Sequence, residues 1–343
     1  MRTNDWIYVV DDDLSNLKMA GRILSKNGMR VTAFQSGTAM LAAVKRQIPD
    51  LILLDIRMPE MDGFETLVRL RKMEECREVP VIFLTADEGV DSETKGLQLG
   101  ASDFIKKPFV PDVLVLRVRH IIELKRLQKH LAEEVTRKTE AIERLSMHIV
   151  ETLAEAIDAK DTYTHGHSKR VAGYAVEIAR RFGYDAERCH DLYMMGLLHD
   201  VGKIGIPNAV INKPGRLTDE EFDLIRTHPP KGSKILSNIR EMPSLATGAR
   251  FHHERYDGGG YPDGLKGEEI PEEARIIAVA DAYDAMTSTR SYRGVMEQAR
   301  VYGEIEDGRG KQFDPVFADI MLDMIREDTG YEMRESDLEE KQH

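Results

Sequence analysis

The sequence predicts a multidomain chain in which a long helix joins an α/β domain to an all-α domain. Short apolar runs alternate with amphipathic stretches in the first 120 residues, an uninterrupted heptad pattern follows, and helical signals dominate the remainder. We place the α/β domain at residues 1–120, the connecting helix at 112–157 and the helical domain at 146–343. A length of 343 residues also favours more than one domain.

Composition narrows the classes of function. Hydrophobic residues make up 41% and charged residues 31%, so each domain can bury a core. A net charge of -12 argues against a DNA-binding protein. Cys76 and Cys189 cannot form a disulfide framework and are expected to be reduced thiols. Residues 1–8 lack a signal-peptide pattern and no apolar run could cross a bilayer, so we expect a cytoplasmic protein without membrane insertion.

Four runs of the first domain are typical of strands, the first three of them apolar, and polar residues lie at the end of each. The runs are Ile7–Val10 before Asp11, Asp12 and Asp13, Leu51–Leu54 before Asp55, Val81–Leu84 before Thr85, and Asp103–Lys106 before Lys107. Amphipathic stretches such as 14–26 and 63–73 lie between them, which predicts a doubly wound parallel sheet. Since ligands bind at the carboxyl ends of parallel strands, we expect these polar residues to lie together.

Such a cluster is suited to phosphoryl chemistry, because carboxylates hold Mg2+ and one of them can accept a phosphoryl group. Residues 9–13, 55–63, 85–86 and 107–109 closely resemble a response-regulator receiver domain, which implies five βα units. The resemblance implies that Asp55 is the phosphoacceptor and that Lys107 contacts the phosphoryl group. It also implies that Thr85 and Phe104 form the switch pair. The implied Mg2+ ligands are Asp11, Asp12, Asp55 and the carbonyl of Arg57. The alternative is a flavodoxin-like domain whose acidic edge binds no phosphoryl group.

In the connecting segment, apolar residues recur in alternating three- and four-residue steps. They are Leu114, Ile121, Leu124, Leu131, Val135, Ile142, Leu145 and Ile149, and polar residues interrupt the series at Arg117, Gln128, Lys138 and Thr152. This pattern, without Gly or Pro, favours one long helix that pairs in a two-stranded coiled coil, and therefore a homodimer. The alternative is a single solvated helix that packs against its own domains.

Helical signals dominate the second domain. An amphipathic stretch at 171–182 is followed by Gly183, and we expect Gly202 to close the apolar helix at 191–198. Thr218 and the acidic residues 219–221 predict a helix start before 222–228, and 276–286 is typical of a buried helix. These signals predict an all-α bundle in which the Gly- and Pro-rich stretches are functional loops.

Imidazole and carboxylate residues recur in this domain at intervals of about one helix and its connection. They are His167, His199, Asp200, His228, His252, His253 and Asp281. His and Asp side chains that converge from several helices form metal sites, and ligands without thiolate suit iron, manganese, zinc or nickel. Seven groups exceed the needs of one catalytic metal, so two metals that share a carboxylate account for them better. A lone His-Asp pair, by contrast, is also typical of an ordinary helix end.

The second domain resembles the HD-GYP family of cyclic-dinucleotide phosphodiesterases, a branch of the HD-domain metal hydrolases. The matching segments are Asp161–Val171, His199–Pro207, Lys213–Thr218, His252–Leu265 and Asp281–Arg293. The resemblance implies one metal held by His167, His199, Asp200 and Asp281, and a second held by His228, His252 and His253, with Asp200 as the bridge. Some members hold a third metal through a Glu four residues before the first His. Tyr163 stands at that position, which favours two metals.

The implied reaction is hydrolysis of a phosphodiester, for which two cations about 3.5 to 4 Å apart activate a water for in-line attack. Asp200 and Lys203 are the implied catalytic residues. The residues implied to bind substrate are Lys203, Arg290, Arg293, Gly260, Tyr261 and Pro262. The loop around Tyr261 has a structural alternative, in which it only holds His252 and His253 in place.

Together the two resemblances imply a two-component response regulator. Phosphorylation of Asp55 by a sensor histidine kinase would control the hydrolysis of cyclic di-GMP to linear pGpG, with GMP as a further product. The implied cofactors are Mg2+ in the receiver domain and two transition metals in the helical domain, with iron first and manganese, zinc or nickel as alternatives. Two other functions stay open: a cyclic-dinucleotide sensor or interaction module with little catalysis, and a phosphodiesterase that prefers a mixed cyclic dinucleotide such as cGAMP.

Overall fold

A computed structural model describes residues 5–86, 90–161, 166–288 and 295–333. The chain divides into two compact units, Met1–Glu140 and Ala141–His343. The first is an α/β unit with a parallel sheet and the second is helical, which confirms the predicted fold class. Among the described residues, no helix combines the length and the hydropathy that a membrane span requires.

The first unit is a five-stranded parallel sheet with helices on both faces. Its elements in chain order are β1 (Trp6–Val10), α1 (Leu14–Lys26), β2 (Arg30–Phe34), α2 (Gly37–Val44), β3 (Leu51–Asp55), α3 (Gly63–Arg71), a 3₁₀ helix (Glu74–Cys76), β4 (Val81–Thr85), α4 (Val90–Gln98), β5 (Asp103–Lys106) and α5 (Pro111–Asp158). The strand order is β2-β1-β3-β4-β5. The four predicted strands did not include β2, because this edge strand is only partly buried and carries Arg30 and Thr32.

Alternate residues of the central strands face two separate cores, as expected for a sheet covered on both faces. Ile7 and Val9 of β1 pack with residues of α1 and α5. Tyr8 and Val10 pack on the opposite face with residues of α2 and α3. Because the order of the strands reverses between β1 and β3, their carboxyl ends lie side by side and leave a crevice for a ligand.

The helix α5 has 48 residues, and its first part belongs to the core of the α/β unit. Leu114 is fully buried there and Ile121 packs against the same core. In the predicted heptad series, the side chains are therefore exposed and able to contact a partner only from Leu124 onward. We call these residues the exposed seam: Leu124, Leu131, Val135, Ile142, Leu145 and Ile149.

The second unit is a bundle of helices. Its further elements are α6 (His167–Phe182), α7 (Ala186–Leu198), a 3₁₀ helix (Val201–Gly205), α8 (Asn208–Ile211), α9 (Asp219–Ile225), α10 (His228–Leu236), α11 (Ser244–Phe251), a 3₁₀ helix (Gly267–Glu269), α12 (Glu272–Thr287), α13 (Gln298–Gly308) and α14 (Pro315–Glu327). Thr218 and Glu221 form a capping box at the start of α9, in agreement with the sequence. The helices α6, α7, α11 and α12 pack around one apolar core.

Gly202 has a different role from the one predicted. The helix α7 ends at Leu198, and Gly202 lies inside the following 3₁₀ helix. A Cβ atom on Gly202 would lie 1.9 Å from the carbonyl oxygen of His228 and 2.6 Å from the backbone nitrogen of Gly232. The residue is Gly because the backbone of α10 packs directly against it.

We expect Gly202→Ala to destabilise the protein by about 3 kcal/mol or more, because the new methyl group overlaps backbone atoms that have no room to move. Gly173→Ala, on the exposed face of α6, is the matched control. Its Cβ meets no atom within 4 Å, and the change should stabilise the helix by up to about 1 kcal/mol. Urea-induced unfolding followed by circular dichroism measures both effects. Equal midpoints for the two variants would contradict the close packing of α10.

Candidate functional site

The carboxyl ends of β1, β3 and β5 bring together three carboxylates and a lysine in the first unit. Oxygens of Asp11, Asp12 and Asp55 lie within 4.8 Å of one another. The Lys107 Nζ lies 2.6 Å from Asp11 Oδ2 and 2.8 Å from Asp55 Oδ2. Burial raises the pKa of Asp55, and the Lys107 ammonium opposes this shift. The group has the oxygen ligands that Mg2+ prefers.

The other predicted receiver residues surround the same crevice. Thr85 and Arg57 line a cavity of about 590 Å³ together with Asp55 and Lys107. The ring of Phe104 packs on Phe83, with 5.6 Å between ring centroids. Asp13 lies outside the ligand group because its carboxylate caps α1 by accepting a hydrogen bond from the backbone N–H of Ser15.

The seven candidate metal ligands of the helical unit converge in two adjacent groups. One group contains Asp200, His228, His252 and His253, and the other contains His167, His199 and Asp281. Most of them lie at helix ends: His167 and His228 begin α6 and α10, while His199 and His252 cap the ends of α7 and α11. Asp281 projects from the middle of α12.

Asp200 lies between the two groups, and its oxygens face opposite sides. Its Oδ2 atom lies 3.3 Å from His199 Nε2 and 3.7 Å from His167 Nε2. Its Oδ1 atom lies 3.2 Å from His228 Nε2 and 3.9 Å from His252 Nε2. This is the geometry that a carboxylate needs in order to bridge two metal ions.

Three of the histidines donate a hydrogen bond from Nδ1 to a backbone carbonyl of the preceding helix. The distances are 2.6 Å from His199 to Gly196, 2.8 Å from His228 to Ile225, and 3.1 Å from His252 to both Gly248 and Ala249. A carbonyl oxygen can only accept, so Nδ1 carries the proton. In the neutral ring Nε2 is then unprotonated, and its lone pair is free to bind a metal.

Several buried atoms are placed well for cations. The Nε2 atoms of His228 and His252 lie 3.3 Å apart, and two lone pairs at this distance repel each other unless a cation binds them. Burial, with His199 and His228 nearby, lowers the pKa of His252 to about 3. Among the described residues, His199 Nε2 and Asp200 Oδ1 are buried without a hydrogen-bond partner. The residues present therefore fit a pair of bound divalent metals.

The carboxylates of the site also attract positive charge. Burial alone would lower the pKa of His199, but the Asp200 carboxylate raises it to about 9. Burial would likewise raise the pKa of Asp200, but Lys203 and His199 hold it well below its usual value. Lys203 Nζ lies 2.6 Å from Asp200 Oδ2. Either protons or metal cations can supply the charge that these carboxylates require.

His167 is held in a different way, by residues that the sequence did not single out. Its Nδ1 lies 2.7 Å from the Oδ2 of Asp284, which is buried. Arg170 donates to the same carboxylate from Nε at 2.6 Å. Although burial would raise it, the pKa of Asp284 is lowered to about 2 by His167 and Arg170. The signal available in the sequence was spacing, since Asp284 lies three residues after Asp281 on the same helix face.

The loop that follows His253 closes on itself. The buried carboxylate of Glu254 accepts backbone hydrogen bonds from Asp263, Gly264 and Leu265 at 2.7 to 3.1 Å. A Cβ atom on Gly260 would lie 2.3 Å from the backbone nitrogen of Arg255. The close approach at Gly260 is therefore to the protein's own backbone and does not require a ligand. This agrees with the alternative in which the loop holds His252 and His253 in place.

The predicted substrate residues are described only in part. Tyr261 packs on His253, with ring centroids 4.9 Å apart, and burial raises its pKa. Tyr261 and Lys203 line a cavity of about 380 Å³ that also contains ligands of both groups. Tyr163, Arg290 and Arg293 lie outside the described residues.

Comparison with known proteins links both units to protein families. The response regulator receiver domain matches residues 7–119, and the HD domain matches residues 151–316.

Full-length relatives share both parts. A probable cyclic di-GMP phosphodiesterase of Vibrio cholerae is 33% identical over 340 residues, covering 92% of this chain and 77% of that protein. The cyclic di-GMP phosphodiesterase response regulator RpfG of Xanthomonas campestris is 34% identical over 328 residues, covering 92% of this chain and 86% of that protein. A 3'3'-cGAMP-specific phosphodiesterase 3 of Vibrio cholerae is 40% identical over 168 residues, but this match covers 49% of this chain and 36% of that protein.

We expect Asp284→Ala to weaken metal binding by about 10- to 100-fold, because His167 loses the carboxylate that fixes its ring. Asp319→Ala is a matched control, since Asp319 also pairs with an arginine, Arg309, but on an exposed surface. Equilibrium dialysis of metal-free protein against Mn2+ gives both affinities. An affinity of the Asp284 variant within twofold of the control would show that Asp284 does not support His167.

Proposed function

The chain belongs to the family of response regulators that join a receiver domain to an HD domain, and on that premise we propose that it is a metal-dependent phosphodiesterase acting on cyclic di-GMP. Phosphorylation of Asp55 would control this activity. The observation that carries the proposal is the position of Asp200 between two groups of buried imidazoles. This arrangement suits a pair of divalent metals, which phosphodiester hydrolysis uses.

The proposed metals are two transition-metal ions, with iron preferred and manganese, zinc or nickel as alternatives. His167, His199, Asp200 and Asp281 would hold one ion, and His228, His252 and His253 would hold the other with Asp200. When bound, the ions would activate a water and polarise the phosphodiester.

The chain's own residues would handle the charge of the substrate. Lys203 lies beside Asp200 and lines the cavity next to the metal ligands, so it is placed to neutralise the phosphate oxygens. Arg290 and Arg293 are proposed to share this role, from positions outside the described residues. Tyr261 lines the same cavity and offers an aromatic edge to the substrate, while Gly260 and Pro262 shape the loop that holds it.

The first unit would receive the signal. We assign Mg2+ to Asp11, Asp12, Asp55 and the Arg57 carbonyl, and the phosphoryl group to Asp55. Lys107 and Thr85 line the crevice where they can contact the phosphoryl oxygens, and Phe104 would respond together with Thr85. The expected phosphodonor is a sensor histidine kinase.

Two observations favour cyclic di-GMP as the substrate. Relatives that match over most of the chain carry that name, whereas the cGAMP-specific relative matches about half of the chain. The complete set of metal ligands favours an enzyme over a sensor that only binds the nucleotide.

Metal-loaded protein is expected to convert cyclic di-GMP to pGpG, with a higher kcat/KM than for cGAMP. Asp200→Ala should lower kcat about a hundredfold or more, because both ions lose their shared ligand. Asp223→Ala, an exposed aspartate on α9, is the control and should behave as the wild type. Chromatography of the products measures the rate for each protein and each substrate. Tight binding of cyclic di-GMP without cleavage would favour the sensor, and faster cleavage of cGAMP would favour the mixed-dinucleotide enzyme.

The exposed seam supports a homodimer. Six apolar side chains of α5 lie at heptad spacing on a surface that is open in the described part of the chain. Exposed apolar residues in this pattern are typical of a two-stranded coiled coil. A second copy of the chain, carrying the same seam, is the partner that such a repeat fits.

Sedimentation equilibrium should give twice the chain mass of 38.9 kDa for the wild type and the chain mass for Leu131→Lys. The lysine would place a charge inside the pairing seam. Thr136→Lys adds the same charge about 140° away around the helix, on an exposed position outside the seam, and should remain a dimer. A monomeric wild type would rule out pairing through this seam.

A further inference from the structure

Two residues at the end of α5 contact chain segments that lie directly beside metal ligands. Asp158 is the last residue of α5, and Lys160 follows in the next turn. We call these two residues the helix-end clamp. Neither is a metal ligand in the assignment above.

Asp158 fixes the start of α6. Its Oδ2 accepts a hydrogen bond from the backbone N–H of Ser168 at 3.0 Å, and its Oδ1 accepts one from the Ser168 hydroxyl at 2.7 Å. Both side chains are buried. The residue at the N-cap position, Gly166, has no side chain to satisfy the free N–H groups of this first turn. Asp158 supplies that cap from another helix, directly beside His167.

Lys160 fixes the segment that carries Lys203. Its ammonium donates to the carbonyl oxygens of Lys203, Ile204 and Ile206 at 2.8, 2.7 and 2.7 Å. An ammonium has three donors, and all three are used here. The accepting carbonyls lie at the end of the 3₁₀ helix Val201–Gly205, which begins directly after Asp200. Lys160 therefore holds the backbone of the segment that follows Asp200, including the backbone of Lys203, the proposed phosphate contact.

We propose that Asp158 and Lys160 are positioning residues that set the distance between His167, at one end of the metal pair, and the bridging Asp200 with Lys203 beside it. This proposal rests on the proposed function and adds to it the residues through which the end of α5 acts on the site. Asp158 holds the segment that carries His167, and Lys160 holds the segment that carries Lys203. A movement of the turn that contains Asp158 and Lys160 would therefore change the distance between these two segments. A displacement of about 1 Å at reacting groups is enough to change a rate about a hundredfold.

The test uses the full chain and compares Asp158→Ala and Lys160→Met with the conservative variants Asp158→Asn and Lys160→Arg. Lys169→Met is the matched control. Lys169 also bridges α6 to α5, through Glu155 at 2.8 Å, but its side chain is partly exposed and is not among the residues lining the cavity next to the metal ligands. Four quantities are measured for each variant: the melting temperature, the affinity for Mn2+ by equilibrium dialysis, and kcat and KM for cyclic di-GMP.

We expect Lys160→Met to lower kcat at least tenfold while KM stays within about threefold, since Lys203 is needed most when charge develops on the phosphate. Asp158→Ala should weaken binding of one Mn2+ ion about tenfold and leave the second ion unchanged, because His167 is displaced. Asp158→Asn keeps an oxygen that accepts from Ser168, and Lys160→Arg keeps donors for the carbonyls, so each should restore most of the lost activity.

The result that would overturn the proposal is a folded Asp158→Ala or Lys160→Met protein with Mn2+ affinity and kcat within twofold of Lys169→Met. A role limited to stability would lower the melting temperature without changing either quantity at a temperature where the variant is folded. Failure of the proposed function looks different, because the wild type itself would then leave cyclic di-GMP intact. The Mn2+ affinities would still decide whether the clamp positions His167.

Discussion

The carboxylate of Asp200 constrains the helical unit more than any other described group. It is buried, and four imidazole nitrogens surround its two oxygens. A carboxylate removed from water costs several kcal/mol unless cations compensate for the lost hydration. Lys203 provides one positive charge at 2.6 Å, and the ligand arrangement provides room for metal cations. The close packing of α10 at Gly202 follows from this requirement, because it brings His228 within reach of Asp200.

The imidazole rings of the ligands are oriented in two ways, according to whether the last turn of a helix lies directly before the histidine. The last carbonyls of a helix have no partner within it. His199, His228 and His252 each follow or end a helix, and their Nδ1 atoms donate to these carbonyls. His167 begins α6, where N–H groups rather than carbonyls are free. It therefore needs an acceptor from elsewhere in the chain, which is Asp284.

The features of the site that could be predicted from the sequence are those that a local pattern or a known motif indicates. Strand runs that end in Asp11, Asp55, Thr85 and Lys107 predict a cluster, because the carboxyl ends of parallel strands meet at one edge of a sheet. The grouping of the seven ligands was likewise expected from their resemblance to a known motif. The contacts of Asp284 and of the helix-end clamp join residues up to 117 positions apart in sequence. The spacing of Asp281 and Asp284 places them on one helix face, but it does not identify His167 as the partner of Asp284. The role of Gly202 was misjudged for the same reason, since a helix stop and a close approach look alike in sequence.

The division of α5 between a buried start and an exposed seam limits how the length of this helix can vary. Leu114 is fixed by the core of the α/β unit, whereas the side chains of the exposed seam lie outside the described cores. In a paired helix, insertion or loss of seven residues keeps the apolar seam nearly in phase, while a change of three or four residues rotates every later side chain out of it. For the proposed dimer, helix length is thus free to change during evolution only in steps of whole heptads. Recombination with other output domains would be subject to the same periodicity.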